Sequence, residues 1–412
     1  MNSNKFWAAA GKALAVVIVT LIVTLTLVPG AGAANKYKTL HTFKGGKDGA
    51  SPYARLVFDT IGNLYGTTYA GGAFDKGTVF KLTPNPNGTW NKKLLHQFTG
   101  GKDGAYPLGG LIFDQTGNLY GTTTHGGDLG NCDSSGCGVV YELTPKADGS
   151  WRERVLHTFS RDGGGELPSS SLIFDEAENL YGTTGGGSYD YGTAFRLDAA
   201  GNLTVLHSFC SVYPCQDGAY PSGLVRDSSG NLYGTTSSGG AYSYGTIFKL
   251  DSAGAWTDLY NFNDNFSGGD GYFPQGGVLR DAAGNLYGVT LHDSDDWAGM
   301  VFELDTNGGM NWIHNFVWGS TDGMYPVAGL AFDSTGDLYG TTPSGGAHGY
   351  GVVFKLTLGL DGQWSERILH AFANHPGANP QAGLVLDAAG NLYGTTTGDG
   401  TTTFGSVFEI AP

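Results

Sequence analysis

Basic side chains are scarce in this chain: 22 Lys and Arg stand against 37 Asp and Glu, a net charge of −15 over 412 residues. Nucleic acids and anionic membrane surfaces are held through Lys and Arg, so both are excluded as main partners. Cysteine is scarcer still, with four in two close pairs, Cys132/Cys137 and Cys210/Cys215. The two-residue spacing of zinc knuckles is missing, and one zinc shared by all four would need the pairs to meet across 73 residues. Long apolar runs are missing too. The longest, Ala13–Val28, has 16 residues, where a membrane-spanning helix needs about 20. Helical periodicity is absent throughout, which leaves strands as the building element. There is no G-x-S-x-G elbow, no H-E-x-x-H and no P-loop.

The apolar run has a role other than spanning. Lys5 and Lys12 precede it, and "PGAGAAN" follows it with Ala31 and Ala33 at small-residue positions. That order is a secretory signal peptide, expected over 1–34, with an uncleaved N-terminal anchor as the alternative. The exported chain, 35–412, then carries 20 − 37 = −17 charges. It is expected to be secreted or periplasmic, monomeric and without stable membrane insertion. In that compartment the cysteines read as two local disulfides, Cys132–Cys137 and Cys210–Cys215.

What the chain has in excess is one phrase. "GNLYGTT" stands at Gly62–Thr68 and returns at Gly117, Gly230 and Gly390, with variants starting at Glu178, Gly284 and Gly336. Its tyrosines fall at steps of 55, 61, 52, 54, 52 and 54 residues. A period of this size means a propeller, a solenoid or an array. Each unit reads as four strands: "LVFD", "LYGTT", "GTVFKLT" and "TWNKKLLHQF" in the first. Four strands per repeat describe a propeller blade. The last unit stops after its third strand, "GSVFEIAP". The exported chain opens on a fourth-strand phrase, "YKTLHTF" at Tyr37–Phe43. The fold is therefore all-β, a seven-bladed β-propeller with four antiparallel strands per blade. The N-terminal strand completes the last blade by pairing with Ser406–Ile410.

Asp59, Asp114, Asp175, Asp227, Asp281, Asp333 and Asp387 recur at one turn and read as turn caps. His41, His96, His157, His207, His314 and His370 share one fourth-strand column, with Tyr260 in the remaining blade, and read as half-buried strand residues.

The unit "DGAxP…GLxxDxxGNLYGTTxxGG…GTVFKL" closely resembles the tandem repeat of the GloVer-type family, exported bacterial proteins whose repeat array is followed by varied C-terminal anchors. The resemblance covers Tyr37 to Pro412. It implies an exported β-propeller and no particular activity. This chain ends at "FEIAP" without a C-terminal anchor, so release from the surface is the expectation.

Two loop sets share one face and give it the most chain to spare, which is where function usually sits. Two readings compete there. In the symmetric one, Asp48, Asp103, Asp217, Asp270 and Asp322 precede Gly in five loops, and Tyr106, Tyr220, Phe273 and Tyr325 precede the Pro. A ring of these at the channel mouth would hold cations or a sugar; the plainer reading is an Asp-Gly turn. In the asymmetric reading, blade five replaces "SSGGAYSYG" with "LHDSDDWAG". It collects His292, Asp293, Asp295, Asp296 and Trp297, flanked by Asp264, Phe266 and Trp318. Exposed Trp suits a glycan. Carboxylates suit calcium, though the spacing matches no recognised calcium loop, and no other cofactor is expected. The expected function is a binding or scaffold module for a carbohydrate or an extracellular protein. The alternative is a polysaccharide-active enzyme, since a glycoside-type carboxylate pair comes from separate loops and leaves no local signature.

Overall fold

The computed structural model describes residues 36–411 except 131, 133, 162–163, 187–190, 264–269, 294, 296, 375–376 and 399–402. The expected signal segment and the positions Asp264, Phe266 and Asp296 fall outside the described residues. Among those described there is no α-helix, and no helix long and apolar enough to cross a membrane.

The strands form seven antiparallel sheets in a ring, a seven-bladed β-propeller. Blade one runs Val57–Phe58, Leu64–Thr68, Thr78–Pro84 and Trp90–Gln97 from the centre outward. Blade seven takes Val385–Leu386, Leu392–Thr396 and Ser406–Ala411 from one end of the chain and Lys36–Thr42 from the other. Lys36 pairs with Ala411 and Thr42 with Ser406, so the closure is the one the sequence predicts. The innermost strands depart from expectation. In blades three and four the loop before the inner strand becomes a strand itself, Glu166–Pro168 and Ala219–Pro221, paired with an extended second strand. In blade five the two pieces merge into Tyr272–Arg280.

The repeated phrase builds this ring. Asp59 Oδ1 accepts the amides of Ile61 and Asn63, while Oδ2 accepts the Asn63 side chain at 2.6 Å and the Tyr65 hydroxyl at 3.0 Å. Burial would raise the Asp59 carboxyl, but these bonds hold it below its usual range. Asn and Tyr of "NLYG" are thus the far side of the Asp turn. Leu64 and Tyr65 face opposite ways along the strand. Leu64 packs with Leu56, Phe80 and blade seven's Tyr393; Tyr65 packs with blade two's Leu119, Val139 and Tyr141. The glycine that follows them is required. A Cβ on Gly66 would stand 2.7 Å from Leu56 and 2.8 Å from the Phe80 ring. Gly182, Gly234, Gly288, Gly340 and Gly394 lie under third-strand phenylalanines in the same way.

The seams repeat as well. The Phe two residues after each fourth-strand His meets the next blade's third-strand aromatic edge to face, from Phe43–Phe80 at 5.3 Å to Phe372–Phe408 at 5.2 Å. Such pairs contribute about 0.5–1.5 kcal/mol beyond burial. A second clasp uses Gly and Pro. The amide of Tyr106 donates to the Lys76 carbonyl at 2.8 Å, and Pro107 Cδ then lies against Gly77. Ser51 and Pro52 do the same on Phe404 and Gly405, closing the ring. The residue before this Pro has positive φ in all seven blades: Ser51, Tyr106, Leu167, Tyr220, Phe273, Tyr325 and Asn379.

Candidate functional site

The inner strands enclose a central channel of about 810 Å³. Its described wall is made of small and apolar residues with Ser170, Ser222, Gln275 and Gln381, and its one charged residue is Arg55. Arg55 Nε donates to the Leu384 carbonyl at 3.0 Å, tying blade one to blade seven, and burial lowers its affinity for the proton.

None of the five Asp-Gly carboxylates lines the channel. Each is held at a seam by the fourth-strand column. His41 Nε2 lies 3.2 Å from Asp48, His96 3.3 Å from Asp103, His207 2.8 Å from Asp217 and His314 3.2 Å from Asp322. In the remaining blade the Tyr260 hydroxyl donates to Asp270. Backbone amides add to this: Lys44 donates to Asp48, Thr99 to Asp103 and Cys210 to Asp217. Both columns are visible in the sequence but their partnership is not, because His and Asp sit seven or more residues apart on different elements. The available signal was co-occurrence. Where the loop aligns no Asp beside the His, the His keeps other company: His370 stacks on Tyr37 at 4.0 Å. Burial, and behind it His348, pushes His370 down to about 4; burial lowers His157 as well.

The next blade's outer strand supplies a third member to these seams, and it varies. Lys92 Nζ lies 2.8 Å from Asp48 Oδ1 in one seam. Trp256 stacks on His207 in another. Glu366 places Oε1 3.7 Å from His314 Nε2, beside Asp322. Burial, and behind it the Asp322 charge, pushes the Glu366 carboxyl up to about 8, while Asp322 stays below the usual range through its bond to His314, against burial.

The asymmetric loop of blade five divides. Asp293 is buried, and its Oδ1 accepts the amides of Ala298 at 2.9 Å and Gly299 at 3.4 Å. That carboxylate shapes the loop. Asp295 is exposed. His292 Nδ1 lies 3.0 Å from the Trp297 carbonyl. Around His292 an aromatic patch gathers: Trp297 at 5.6 Å, Tyr272 at 5.4 Å and Tyr325 at 5.5 Å between ring centres, with Trp318 against Tyr325 at 6.0 Å. The structure therefore brings Trp297 and Trp318 into one surface, and both are 57% exposed. Tyr272 and Tyr325 were not expected as parts of this patch. Trp297 also holds φ +60°. The matching loop positions carry Asp75, Gly136, Ser243 and Gly349, all with positive φ. The same left-handed φ is held by the aromatics Tyr106, Tyr220, Phe273 and Tyr325 at the Gly–Pro clasp, and it costs a residue with a Cβ about 1–2 kcal/mol.

The disulfides form as expected, Cys132–Cys137 and Cys210–Cys215, each inside one loop, and no free cysteine remains.

The model of the Gloeobacter/Verrucomicrobia repeat matches residues 24–184, 130–269 and 264–412. The chain belongs to this repeat family. The match spans all seven blades of the Gloeobacter/Verrucomicrobia repeat array, and so agrees with the resemblance carried by "NLYGTT" and "GTxFKL". No curated protein matches the chain. Among solved structures it is similar to a putative gluconolactonase, at 13% identity and TM-score 0.40, over 92% of each chain. It is also similar to a putative oxidoreductase (glucose dehydrogenase) from Thermus thermophilus, at 16% identity and TM-score 0.43, over 92% of this chain and 100% of that one.

Proposed function

We propose that this propeller is an exported, secreted or periplasmic, binding protein that takes a carbohydrate on the aromatic patch of blades five and six. The observation that carries the reading is Trp297. In blades one, two, four and six its backbone position is filled by Asp75, Gly136, Ser243 and Gly349; blade five places the largest side chain there and leaves it 57% exposed. Trp297 and Trp318 offer flat apolar faces with polar edges, the surface that stacks on a sugar ring. His292 and Tyr325 back them, so their orientation is set before a ligand arrives.

The alternative, a polysaccharide-active enzyme, calls for two opposed carboxyl groups about 5–9.5 Å apart around the bond to be cleaved. No acid lines the described channel wall, and Asp293 is bound to backbone amides. Binding is thus the better-supported class. The test is a glycan array on the purified protein, followed by turnover assays on any hit. A bound glycan that is not turned over supports the reading; cleavage of the hit moves the protein to the enzyme class.

A further inference from the structure

The seam between blades five and six carries one acid too many. His314 comes from blade five's outer strand, Met310–Asn315; Asp322 from the blade-to-blade loop; Glu366 from blade six's outer strand, Trp364–Ala371. Their donor atoms all lie within 4.8 Å of one another, with His314 Nε2 3.2 Å from Asp322 Oδ2 and 3.7 Å from Glu366 Oε1. The side chains are only 18%, 12% and 16% exposed. Glu366 Oε1 is buried, and its polar neighbours are His314 and the Asp322 carboxyl. A metal ion held by the imidazole and both carboxyl groups would replace the proton that so close a carboxyl pair otherwise shares.

A sister seam shows where that cation goes. Between blades seven and one, the residue equivalent to Glu366 is Lys92, four positions before the column His as Glu366 is before His370. Its ammonium sits beside His41 and Asp48, 2.8 Å from the carboxylate. The fold therefore already holds a positive charge at this spot in one seam, carried on a side chain.

We propose that His314, Asp322 and Glu366 bind a divalent transition-metal ion, with Zn²⁺ the best match, which pins blade six's outer strand to the loop carrying Trp318. Zinc bound at about 2.0–2.2 Å by nitrogen and oxygen in a tetrahedron separates its ligands by roughly 3.3–3.6 Å. Two of the three ligand separations, 3.2 and 3.7 Å, bracket that edge, and the third is within 4.8 Å. Three protein ligands leave one position for water, which the partial exposure admits. One imidazole with two carboxylates suits zinc and its neighbours, whereas calcium takes 6–8 oxygens and this seam offers two carboxyl groups. The site is independent of the proposed glycan patch, although Asp322 lies four residues from Trp318 on the same loop.

The test uses chelator-stripped protein, prepared without a metal-binding tag and titrated with Zn²⁺ at pH 7.5 by calorimetry. Uptake of Zn²⁺ is expected, with a rise in melting temperature. Loss of a group that merely orients a metal ligand costs about 10–100-fold in metal affinity. Glu366→Gln and His314→Gln remove ligands outright, so each is expected to weaken one equivalent by at least about 100-fold. Glu366→Lys copies the sister seam. It is expected to lose that equivalent while melting no lower than the metal-free parent. The proposal is overturned if the parent takes up no Zn²⁺, or if the Glu366 variants bind as much as the parent. A Glu366→Lys protein that melts well below the metal-free parent also overturns it, because the spot then does not accept a cation.

Discussion

Gly77→Ala tests whether the Gly–Pro clasp holds neighbouring blades together. Gly77 has φ +96°, and an added Cβ would lie 2.6 Å from Pro107 Cδ, 2.6 Å from the Thr68 carbonyl and 2.8 Å from the Tyr69 carbonyl. The conformational part of the penalty is about 1–2 kcal/mol, the cost of a left-handed backbone for a residue with a Cβ. Overpacking adds about 1–3 kcal/mol, since backbone oxygens and a proline ring cannot swing away. Lower chain entropy in the unfolded state offsets about 0.4–1 kcal/mol. The net destabilisation is then about 2–4 kcal/mol. Gly62→Ala is the control. Gly62 has φ +86°, but nothing lies within 4 Å of its added Cβ. It bears the conformational term alone, about 1 kcal/mol after the same offset. Unfolding entropy near 2.1 cal/mol/K per residue gives about 0.8 kcal/mol/K for the unit Asn35–Pro412. Scanning calorimetry should therefore show a fall of about 3–5 °C for Gly77→Ala and about 1 °C for Gly62→Ala. Equal shifts in the two variants would refute the reasoning, because the contact with Pro107 would then contribute nothing.

Other outcomes follow from the same geometry. Deleting residues 35–43 removes the outer strand of blade seven and exposes the Ser406–Ala411 edge, so the protein should aggregate or melt far below the parent by light scattering and calorimetry. Peptide mapping without reductant should find Cys132–Cys137 and Cys210–Cys215 linked and not cross-paired; each short loop contributes at most about 2 kcal/mol. His370, pushed down to about 4 from an unfolded value near 6.5, favours folding fully above pH 6.5 and progressively less as pH falls toward 4. His370→Phe keeps the stack on Tyr37 and removes the titration, so the parent should lose more melting temperature than the variant between about pH 7 and pH 4.5.

The ring was legible because its parts are local and repeated. Asp59, Asn63 and Tyr65 lie within seven residues, so turn chemistry and strand alternation place them together without tertiary knowledge. Closure was legible because Tyr37–Phe43 spells the strand that the last unit lacks. The seam partnerships were not. His207 and Asp217 belong to different elements, and the third member, such as Glu366 opposite His314, is more than 50 residues away. Pattern along a chain carries no sign of such contacts beyond columns that appear and vanish together. In the blade-five loop, residue types pointed to the right segment but gave its acids one shared role. Burial of Asp293 against amides and exposure of Trp297 divide that role between shape and surface.

Calorimetric titration of a glycan-array hit against Trp297→Ala and Trp318→Ala tests the central claim most directly. Both tryptophans are 57% exposed, so the variants should melt near the parent while losing at least about tenfold in affinity. Affinity equal to the parent's in both variants, with the fold intact, would contradict the assignment of recognition to this patch.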